Sequence, residues 1–313
     1  MARFGHKIKQ MKSISIFGVF VADLCFIGDR IPSKGQTILG KKHVVGPGGK
    51  GSNQAIAAAR LNGDVSFITK VGKDSHSEMA FNLYKEAGVK THSIIQDEKL
   101  FTGVAGIMID KDGNNAINIV SGAAEHLFAE DIDNKVETIK NSEIFLTQME
   151  TPDEITIYAL KKAKEHKCIT ILNPAPARKI DEDIFKIIDF FTPNETEAEF
   201  YLNKKIETSE DIKNAANDLL KKGIKNVIIT LGEKGIYFAN GKENFFLEAY
   251  KLKQPVIDTT GAGDAFNGAF AVGLANDLDI KEALSFANKV AGISTTRLGA
   301  ASSMPFAKEL TDN

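Results

Sequence analysis

This sequence of 313 residues has few cysteines, no excess of basic over acidic residues and no long apolar run. The two cysteines, Cys25 and Cys168, lie far apart in apolar surroundings, which argues against a disulfide framework and against a zinc site. Lysine and arginine number 39 against 41 aspartates and glutamates, so no basic excess favours nucleic-acid binding. No apolar run approaches the about eighteen residues that a membrane span needs. We therefore expect a cytoplasmic, globular protein.

The first dozen residues are basic, but no apolar segment or cleavage signal follows them. We interpret them as a frayed extension ahead of the first strand. Apolar, β-branched runs then alternate with helical patterns along most of the chain. The predicted strands are 13–21, 65–71, 143–148, 168–172, 187–191 and 226–231. The predicted helices are 52–61, 76–87, 153–166, 195–202, 209–222 and 264–275. This alternation predicts an α/β fold, with a mostly parallel sheet that helices cover on both faces.

Two segments break the alternation. Residues 34–45 form a short alternating stretch, and residues 102–120 have the pattern of a hairpin with its turn at 111–114. Antiparallel pieces inside an α/β chain commonly form a flap over the main sheet. Since no internal repeat or linker-like tract occurs, we predict one domain over 1–313, with a small β-sheet lid formed by about 20–46 and 100–122.

The segment Asp258–Gly268 (DTTGAGDAFNG) is the most informative in the chain. Its Gly-Ala-Gly directly precedes a helical run, and small residues at a helix start bring bare backbone N–H groups and the helix dipole to an anion. Such a site suits the charge that spreads over a phosphoryl group during transfer. Asp264 would lie at its mouth, where it could accept a proton from an attacking hydroxyl. Read alone, the same aspartate could simply cap a helix.

A second glycine cluster, GPGGKGSNQ at 46–54, also opens a helix. It satisfies the dinucleotide pattern G-x-G-x-x-G, but that fingerprint belongs in the turn after the first strand, whereas here it follows the lid segment. The Walker A pattern fails because Ser52, not lysine, follows Gly51. The cluster favours close approach of the backbone to a polyol, with Lys50 and Asn53 as hydrogen-bonding groups. A solvated glycine turn is the alternative.

Six motifs occur in a fixed order: GGKGSNQ at 48–54, QME at 148–150, NPAPAR at 173–178, PNETE at 193–197, TLGEKG at 230–235 and DTTGAGDAFNG at 258–268. With them the sequence resembles the ribokinase family of carbohydrate kinases (the PfkB group), from the first strand to about Ser303. The resemblance implies a ribokinase-like fold and ATP-dependent phosphorylation of a sugar. It also implies Mg²⁺, activation by a monovalent cation such as K⁺, and a possible homodimer through the lid.

The resemblance assigns roles to individual residues. Asp264 would be the catalytic base, and the backbone amides of its neighbours would form the anion hole: Gly261, Ala262 and Gly263. The sugar would be bound by Asp23, Gly49, Lys50, Gly51, Ser52, Asn53, Glu150 and Asp264. ATP would be bound by Asn194, Thr230, Leu231, Gly232, Glu233, Lys234, Gly235, Gly263 and Asn288. Glu197 would approach Mg²⁺ through water. The K⁺ site would be formed, mostly by carbonyls, from Asp258, Thr260, Ser294, Arg297, Gly299 and Ser303.

One departure concerns the choice of sugar. Ribokinases typically carry Asn-x-Asp on the first strand, whereas this chain has Val21-Ala22-Asp23. A sugar hydroxyl left unpaired in a buried site costs about 1–3 kcal/mol. We predict a kinase that phosphorylates D-ribose at O5, with deoxyribose, another sugar or a nucleoside as alternative acceptors. A non-catalytic binding module is a further alternative, against which the presence of Asp264 and Glu197 speaks.

Overall fold

The computed structural model of the protein describes residues 12–310, so the predicted N-terminal extension lies almost entirely outside the described residues. The described part contains two β-sheets, whose strands are β1 (Ser13–Phe17), β2 (Val21–Ile27), β3 (Lys42–Gly48), β4 (Asp64–Gly72), β5 (Ile94–Asp97), β6 (Thr102–Ile109), β7 (Asn115–Gly122), β8 (Ile144–Thr147), β9 (Ile169–Leu172), β10 (Phe190–Phe191), β11 (Asn226–Thr230), β12 (Ile236–Asn240) and β13 (Asn244–Leu247).

The α-helices of the described residues are α1 (Lys50–Arg60), α2 (Ser75–Ala87), α3 (Ala129–Asp133), α4 (Val136–Lys140), α5 (Asp153–Glu165), α6 (Glu195–Leu202), α7 (Ser209–Lys221), α8 (Ala262–Ala275) and α9 (Ile280–Ser294). Within residues 12–310, none of them combines the length and the apolar character that crossing a membrane requires.

The larger sheet has the strand order β13-β12-β11-β10-β9-β8-β1-β4-β5. In this order, all neighbouring strands between β5 and β11 pair in parallel. At the other end of the sheet, β12 pairs antiparallel with β11, and β13 pairs antiparallel with β12. Two apolar cores lie on its opposite faces. One packs α1, α2, α8 and α9 against side chains such as Ile16 of β1. The other packs α5, α6 and α7 against side chains such as Phe17. The predicted α/β fold, with helices on both faces of a mostly parallel sheet, is confirmed.

The smaller sheet has the order β3-β2-β6-β7, with β2 and β6 parallel and the outer pairs antiparallel. Only three residues separate the end of β1 from the start of β2, so the chain passes directly from the main sheet into this second sheet, which we call the lid sheet. Its outer strand β7 is exposed from Asn115 to Val120. Several of its apolar side chains face solvent: Phe26, Val45, Met108, Ile117, Ile119 and Val120.

Some predicted boundaries were wrong. The strand predicted at 13–21 is two strands, because the chain leaves the main sheet at Gly18 although its apolar residues continue without a break. The strand predicted at 187–191 is only Phe190–Phe191, since a 3₁₀ helix occupies Glu182–Ile187. The short stretch at 34–45 becomes strand β3 only from Lys42 onward. Helices α1 and α8 each begin two residues earlier than predicted, at Lys50 and Ala262.

Candidate active site

Several of the predicted site residues follow strands of the main sheet. Glu150 follows β8, Asn194 follows β10, and residues 231–235 follow β11. Parallel strands present their carboxyl ends at one edge of a sheet, and ligands of open α/β sheets bind outside that edge. The structure therefore gathers residues from distant motifs at one side of the molecule.

Asp264 lies in the first turn of α8, where its side chain is 6% exposed. Gly261 is the N-cap of the helix, its φ of 78° lies in the left-handed region, and among the described residues no side chain caps the helix. The amide of Ala262 donates to the carbonyl of Thr259 over 3.1 Å, whereas the amides of Gly263 and Asp264 have no partner within the helix, so this helix start carries partial positive charge. At Gly263 a Cβ would meet open space, so the backbone is accessible there.

The start of α1 lies against Asp264. Asn53 Nδ2 donates a hydrogen bond to Asp264 Oδ2 over 2.9 Å, while Asn53 Oδ1 is buried without a partner among the described residues. Gly268 makes this approach possible, because a Cβ there would lie 2.6 Å from the carbonyl oxygen of Gln54 on α1. The glycine clusters open α1 and α8, and the N-terminal ends of these two helices therefore meet at the Asp264 carboxylate.

The turn before α1 is held by close backbone contacts. Gly49 has a φ of 89°, and a Cβ there would lie 2.5 Å from the carbonyl oxygen of Val19. The amide of Lys50 donates to Glu150 Oε2 over 2.7 Å, which ties this turn to the segment after β8. Ser52 differs from the prediction that it contacts sugar, because its hydroxyl accepts a hydrogen bond from Tyr84 in the core and its amide donates to Val19. Gly51 is buried at the same turn, beside Gly18.

The sugar-end carboxylates are electrostatically strained. Burial raises the pKa of Glu150 to about 7 and that of Asp23 to about 6. Asp23 lies on β2 against Gly48, and its side chain shares one lid face with Val21, since alternate residues of a strand point the same way. Burial lowers the pKa of Lys50, but the charges of Asp264, Glu150 and Glu197 outweigh it and raise that pKa overall. Lys50 is thus the cation shared by this end of the site.

Asn194 and Glu197 form a capping box at the start of α6. Asn194 Oδ1 accepts from the amide of Glu197, and Glu197 Oε2 accepts from the amide of Asn194, both over 2.8 Å. Burial raises the pKa of Glu197, and the charge of Asp264 acts in the same direction. No three His, Cys, Asp or Glu side chains of the described residues are arranged to hold a metal ion. Both carboxylate oxygens of Glu197 accept hydrogen bonds from Asn194, Oε2 from its backbone amide and Oε1 from Nδ2.

The residues predicted to bind nucleotide lie next to one another beyond β11. Asn194 pairs with Thr230 in a parallel β-bridge, and Gly232–Lys234 form a single 3₁₀ turn that includes Glu233. Leu231 is buried beneath the turn. Gly235 has a φ of 95°, and a Cβ there would lie 2.0 Å from the carbonyl oxygen of Leu247. Asn288 on α9 is farther along, where its Nδ2 donates to the carbonyl of Glu248 over 2.6 Å.

Asp258 ties together the two segments predicted to bind K⁺. Its oxygens accept from the amides of Thr260 and Gly299, each over 2.9 Å, and these bonds outweigh burial, so that its pKa lies below the ordinary value. Its own amide donates to the carbonyl of Thr295, directly after Ser294. Ser303 and Arg297 use their side chains locally, Ser303 on the carbonyl of Ala300 and Arg297 in a 2.7 Å ion pair with Glu309.

Four buried amide side chains near Asp264 were not anticipated from the sequence: Gln54, Gln148, Asn173 and Asn267. Each belongs to a motif quoted above, yet none was assigned a role. Gln54 Nε2 donates to Asp264 Oδ1 over 3.0 Å, and Asn267 Nδ2 donates to the carbonyl of Gly263 over 2.8 Å. The only signal in the sequence was that glutamine and asparagine occupy positions within or beside otherwise apolar runs.

Comparison with known proteins identifies relatives over most of the chain. The profile of the pfkB family carbohydrate kinases matches residues 11–307. A ribokinase of Staphylococcus aureus (strain COL) is 39% identical over 264 residues, covering 84% of this chain and 86% of that protein. A deoxyribokinase of Salmonella typhi is 34% identical over 300 residues, covering 96% and 97%. The structure of Arabidopsis thaliana ribokinase complexed with ribose and ATP matches with a TM-score of 0.92 at 32% identity, covering 96% of this chain and 98% of that one.

Proposed function

The chain belongs to the pfkB family of carbohydrate kinases and is an ATP-dependent sugar kinase, and from this premise we propose that it transfers the terminal phosphoryl group of ATP to O5 of D-ribose. The observation that supports the proposal is the position of Asp264, a buried carboxylate at the uncapped start of α8. Such a helix start suits an anionic phosphoryl group, and the carboxylate beside it suits the attacking hydroxyl.

Asp264 acts as the base in this proposal. Burial raises its pKa above the ordinary value, against the lowering effects of Lys50, Asn53 and Gln54, so the carboxylate accepts a proton more readily than an exposed aspartate would. The proton moves from the 5-hydroxyl to Asp264 as the oxygen attacks phosphorus, and ADP leaves. The amides of Gly261, Ala262 and Gly263 stabilise the charge on the migrating group.

The sugar is held by the groups at the start of α1 and on the lid sheet. Asp23 and Glu150 accept hydrogen bonds from hydroxyl groups, and the unpartnered Asn53 Oδ1 gives a further acceptor. Gly49, Lys50 and Gly51 supply backbone and ammonium donors. A sugar bound in this site would also lower the free-energy cost of keeping Asp23 and Glu150 charged, because each sugar hydroxyl replaces a hydrogen bond to water that the buried carboxylates have lost.

ATP lies over the turn after β11 in this proposal, beside Thr230, Gly235 and Asn288, with its phosphates toward Asn194 and α8. Mg²⁺ would accompany the phosphates, and the Glu197 carboxylate would contact it through a water molecule. Oxygen ligands of this kind suit Mg²⁺. K⁺ would be held next to Asp258 by carbonyls of residues 260, 294, 297, 299 and 303. These ions would neutralise phosphate charge, while the residues named here orient the acceptor and accept its proton.

The test is phosphorylation of D-ribose measured by coupled ADP release, with and without K⁺. We expect Asp264→Asn to lower kcat at least about 10³-fold with little change in KM, because the base acts in the transition state. Asp218→Asn, which neutralises a half-buried carboxylate of α7 that pairs with Lys204 and Lys221, is the control and should retain full activity. Near-normal turnover of Asp264→Asn would contradict the assignment. Tight sugar binding without turnover of any sugar would favour the non-catalytic alternative.

Deoxyribose is the second candidate acceptor. Val21 carries no hydrogen-bonding group where ribokinases typically carry asparagine, and one relative of similar identity is a deoxyribokinase. A screen of ribose, 2-deoxyribose, fructose and adenosine would separate these acceptors. A wide preference for ribose would exclude the second candidate.

We also propose that the protein forms a homodimer through the lid sheet. Strand β7 is an outer strand with exposed apolar side chains, and such edges tend to pair or to be covered. Light scattering would test this. Ile119→Glu should yield monomers, and a wild-type protein that is monomeric at assay concentration would contradict the proposal.

A further inference from the structure

Three buried amide side chains lie behind the Asp264 carboxylate, and the transfer proposed above assigns none of them contact with the substrates. Gln54 on α1 is 0% exposed, Gln148 directly after β8 is 1% exposed, and Asn173 directly after β9 is 7% exposed. A buried amide without partners is costly, so each such group calls for an account of its hydrogen bonds.

Both N–H groups and the oxygen of the Gln54 side-chain amide form hydrogen bonds. Its Nε2 donates to Asp264 Oδ1 over 3.0 Å and to Asn173 Oδ1 over 3.1 Å, while its Oε1 accepts from Gln148 Nε2 over 2.5 Å. Asn173 is itself fixed, because its Nδ2 donates to the carbonyl of Thr192. Only one orientation of the Gln54 amide fits these partners. The reverse orientation would set its oxygen against the Asp264 carboxylate and its NH₂ against that of Gln148.

The fold also reserves space for Gln148. A Cβ at Gly18 would lie 2.2 Å from Gln148 Oε1 and 2.8 Å from the Cα of Gly51, and a Cβ at Gly51 would lie 3.0 Å from the same oxygen. Both glycines therefore border the Gln148 side chain. Since any larger residue at either position would displace it, the placement of Gln148 against Gln54 is built into two separate turns.

We propose, on the premise that Asp264 is the base of the transfer, that Gln54 is a positioning residue for the Asp264 carboxylate and that Gln148 acts through Gln54 by fixing the orientation of its amide. Gln54 holds Oδ1 of Asp264, and Asn53 holds Oδ2, so the plane of the carboxylate is set from two directions. This orientation determines which lone pair meets the acceptor hydroxyl, and small errors in such placement cost large factors in rate.

The charged groups that face Asp264 come from several elements: Lys50 on α1, Glu150 after β8 and Glu197 on α6. Burial raises the pKa of Asp264, and Lys50, Asn53 and Gln54 lower it again. Removal of the Gln54 donor leaves burial less opposed and raises that pKa further. Because the base must be ionised, activity would then be lost at a higher pH as the solution is acidified.

The experiment measures kcat and the pH profile of kcat/KM with the full chain. Gln54→Met keeps length and volume but removes the donor, and we expect its kcat to fall about 10- to 100-fold. The acid limb of its kcat/KM profile should move up by about one to two pH units. Gln148→Met, which makes no contact with Asp264, should shift the limb in the same direction by less. Thr170→Val is the matched control: it removes a buried hydroxyl from β9, away from the site, and should not move the limb.

The double variant identifies the route of the effect. If Gln148 acts only through Gln54, Gln54→Met with Gln148→Met should equal Gln54→Met alone within about twofold, whereas independent sites would multiply their losses. Multiplied losses, or an unmoved acid limb in a folded Gln54→Met protein, would overturn the inference. If Gln54→Met does not fold, an unmoved limb in Gln148→Met overturns it. Loss of activity in Asp264→Asn beside an unaltered Gln54→Met would refute this inference alone, whereas a wild-type protein that phosphorylates no sugar would refute the proposed function as well.

Discussion

Neutralising Glu150 should make the free protein more stable while it impairs sugar phosphorylation. Burial raises the pKa of Glu150 from its ordinary 4.5 to about 7, so above pH 7 the folded protein holds a charge that its surroundings disfavour. A group with a raised pKa stabilises the fold at low pH, and this contribution is lost as the pH rises through the folded value. The difference between 4.5 and about 7 corresponds to about 3 kcal/mol at 1.36 kcal/mol per unit.

Glu150→Gln keeps an acceptor for the Lys50 amide but cannot ionise. Because the residue is not fully shielded from solvent, we expect about 2 kcal/mol of extra stability at pH 8 and less than half of that at pH 5. Urea unfolding of the variant and the wild type at both pH values measures this. Glu165→Gln, which replaces an exposed carboxylate at the end of α5, is the matched control for the substitution itself. A pH-independent difference for Glu150→Gln would refute the reasoning.

Three further predictions concern the sugar end. Val21→Asn should raise the ratio of kcat/KM for ribose over 2-deoxyribose about tenfold, and an unchanged ratio would show that position 21 does not meet the distinguishing hydroxyl. Sugar binding at pH 6 should release a fraction of a proton, detected by calorimetry in buffers of different ionisation enthalpy, because the pKa of Asp23 is about 6 and a hydroxyl favours its charged form; Asp23→Asn should reduce that release. Gly49→Ala should cost at least about 1–3 kcal/mol of stability and weaken sugar binding, given the φ of 89° and the contact with Val19; wild-type unfolding and affinity would contradict this.

The fold class could be predicted because the sequence signals for strands and helices are local. β-branched runs such as NVIIT at 226–230 and the helical patterns between them are legible without any tertiary contact. The break between β1 and β2 was not evident from the sequence, since apolar residues occur on both sides of Gly18 in SISIFGVFV and Gly18 alone marks where the chain leaves the main sheet. Helix α9 and the short helices α3 and α4 were not anticipated either.

In the candidate site, only the residues that belong to recognisable motifs with a known role could be predicted from the sequence. The glycine clusters indicated where backbone approaches a ligand, and the resemblance supplied Asp264 and Glu150. The hydrogen bond from Gln54 to Asp264 joins residues 210 positions apart, so no spacing in the sequence could reveal it. The same holds for Ser52, whose partner Tyr84 turns its hydroxyl into the core. Such pairings depend on how α1, α2 and α8 pack, which is a property of the folded chain.

The short passage from β1 to β2 separates two kinds of change that the protein can undergo over evolution. Side chains proposed to distinguish acceptors, Val21 and Asp23, belong to a strand outside the main sheet, whereas Asp264 and its partners are fixed between helices in the interior. Exchanges in β2 can therefore alter which sugar is accepted while the packing of α1 against α8 around Asp264 is kept. Descendants with new acceptors should differ first along this strand, and ancestral reconstruction would date those exchanges before any at the start of α8.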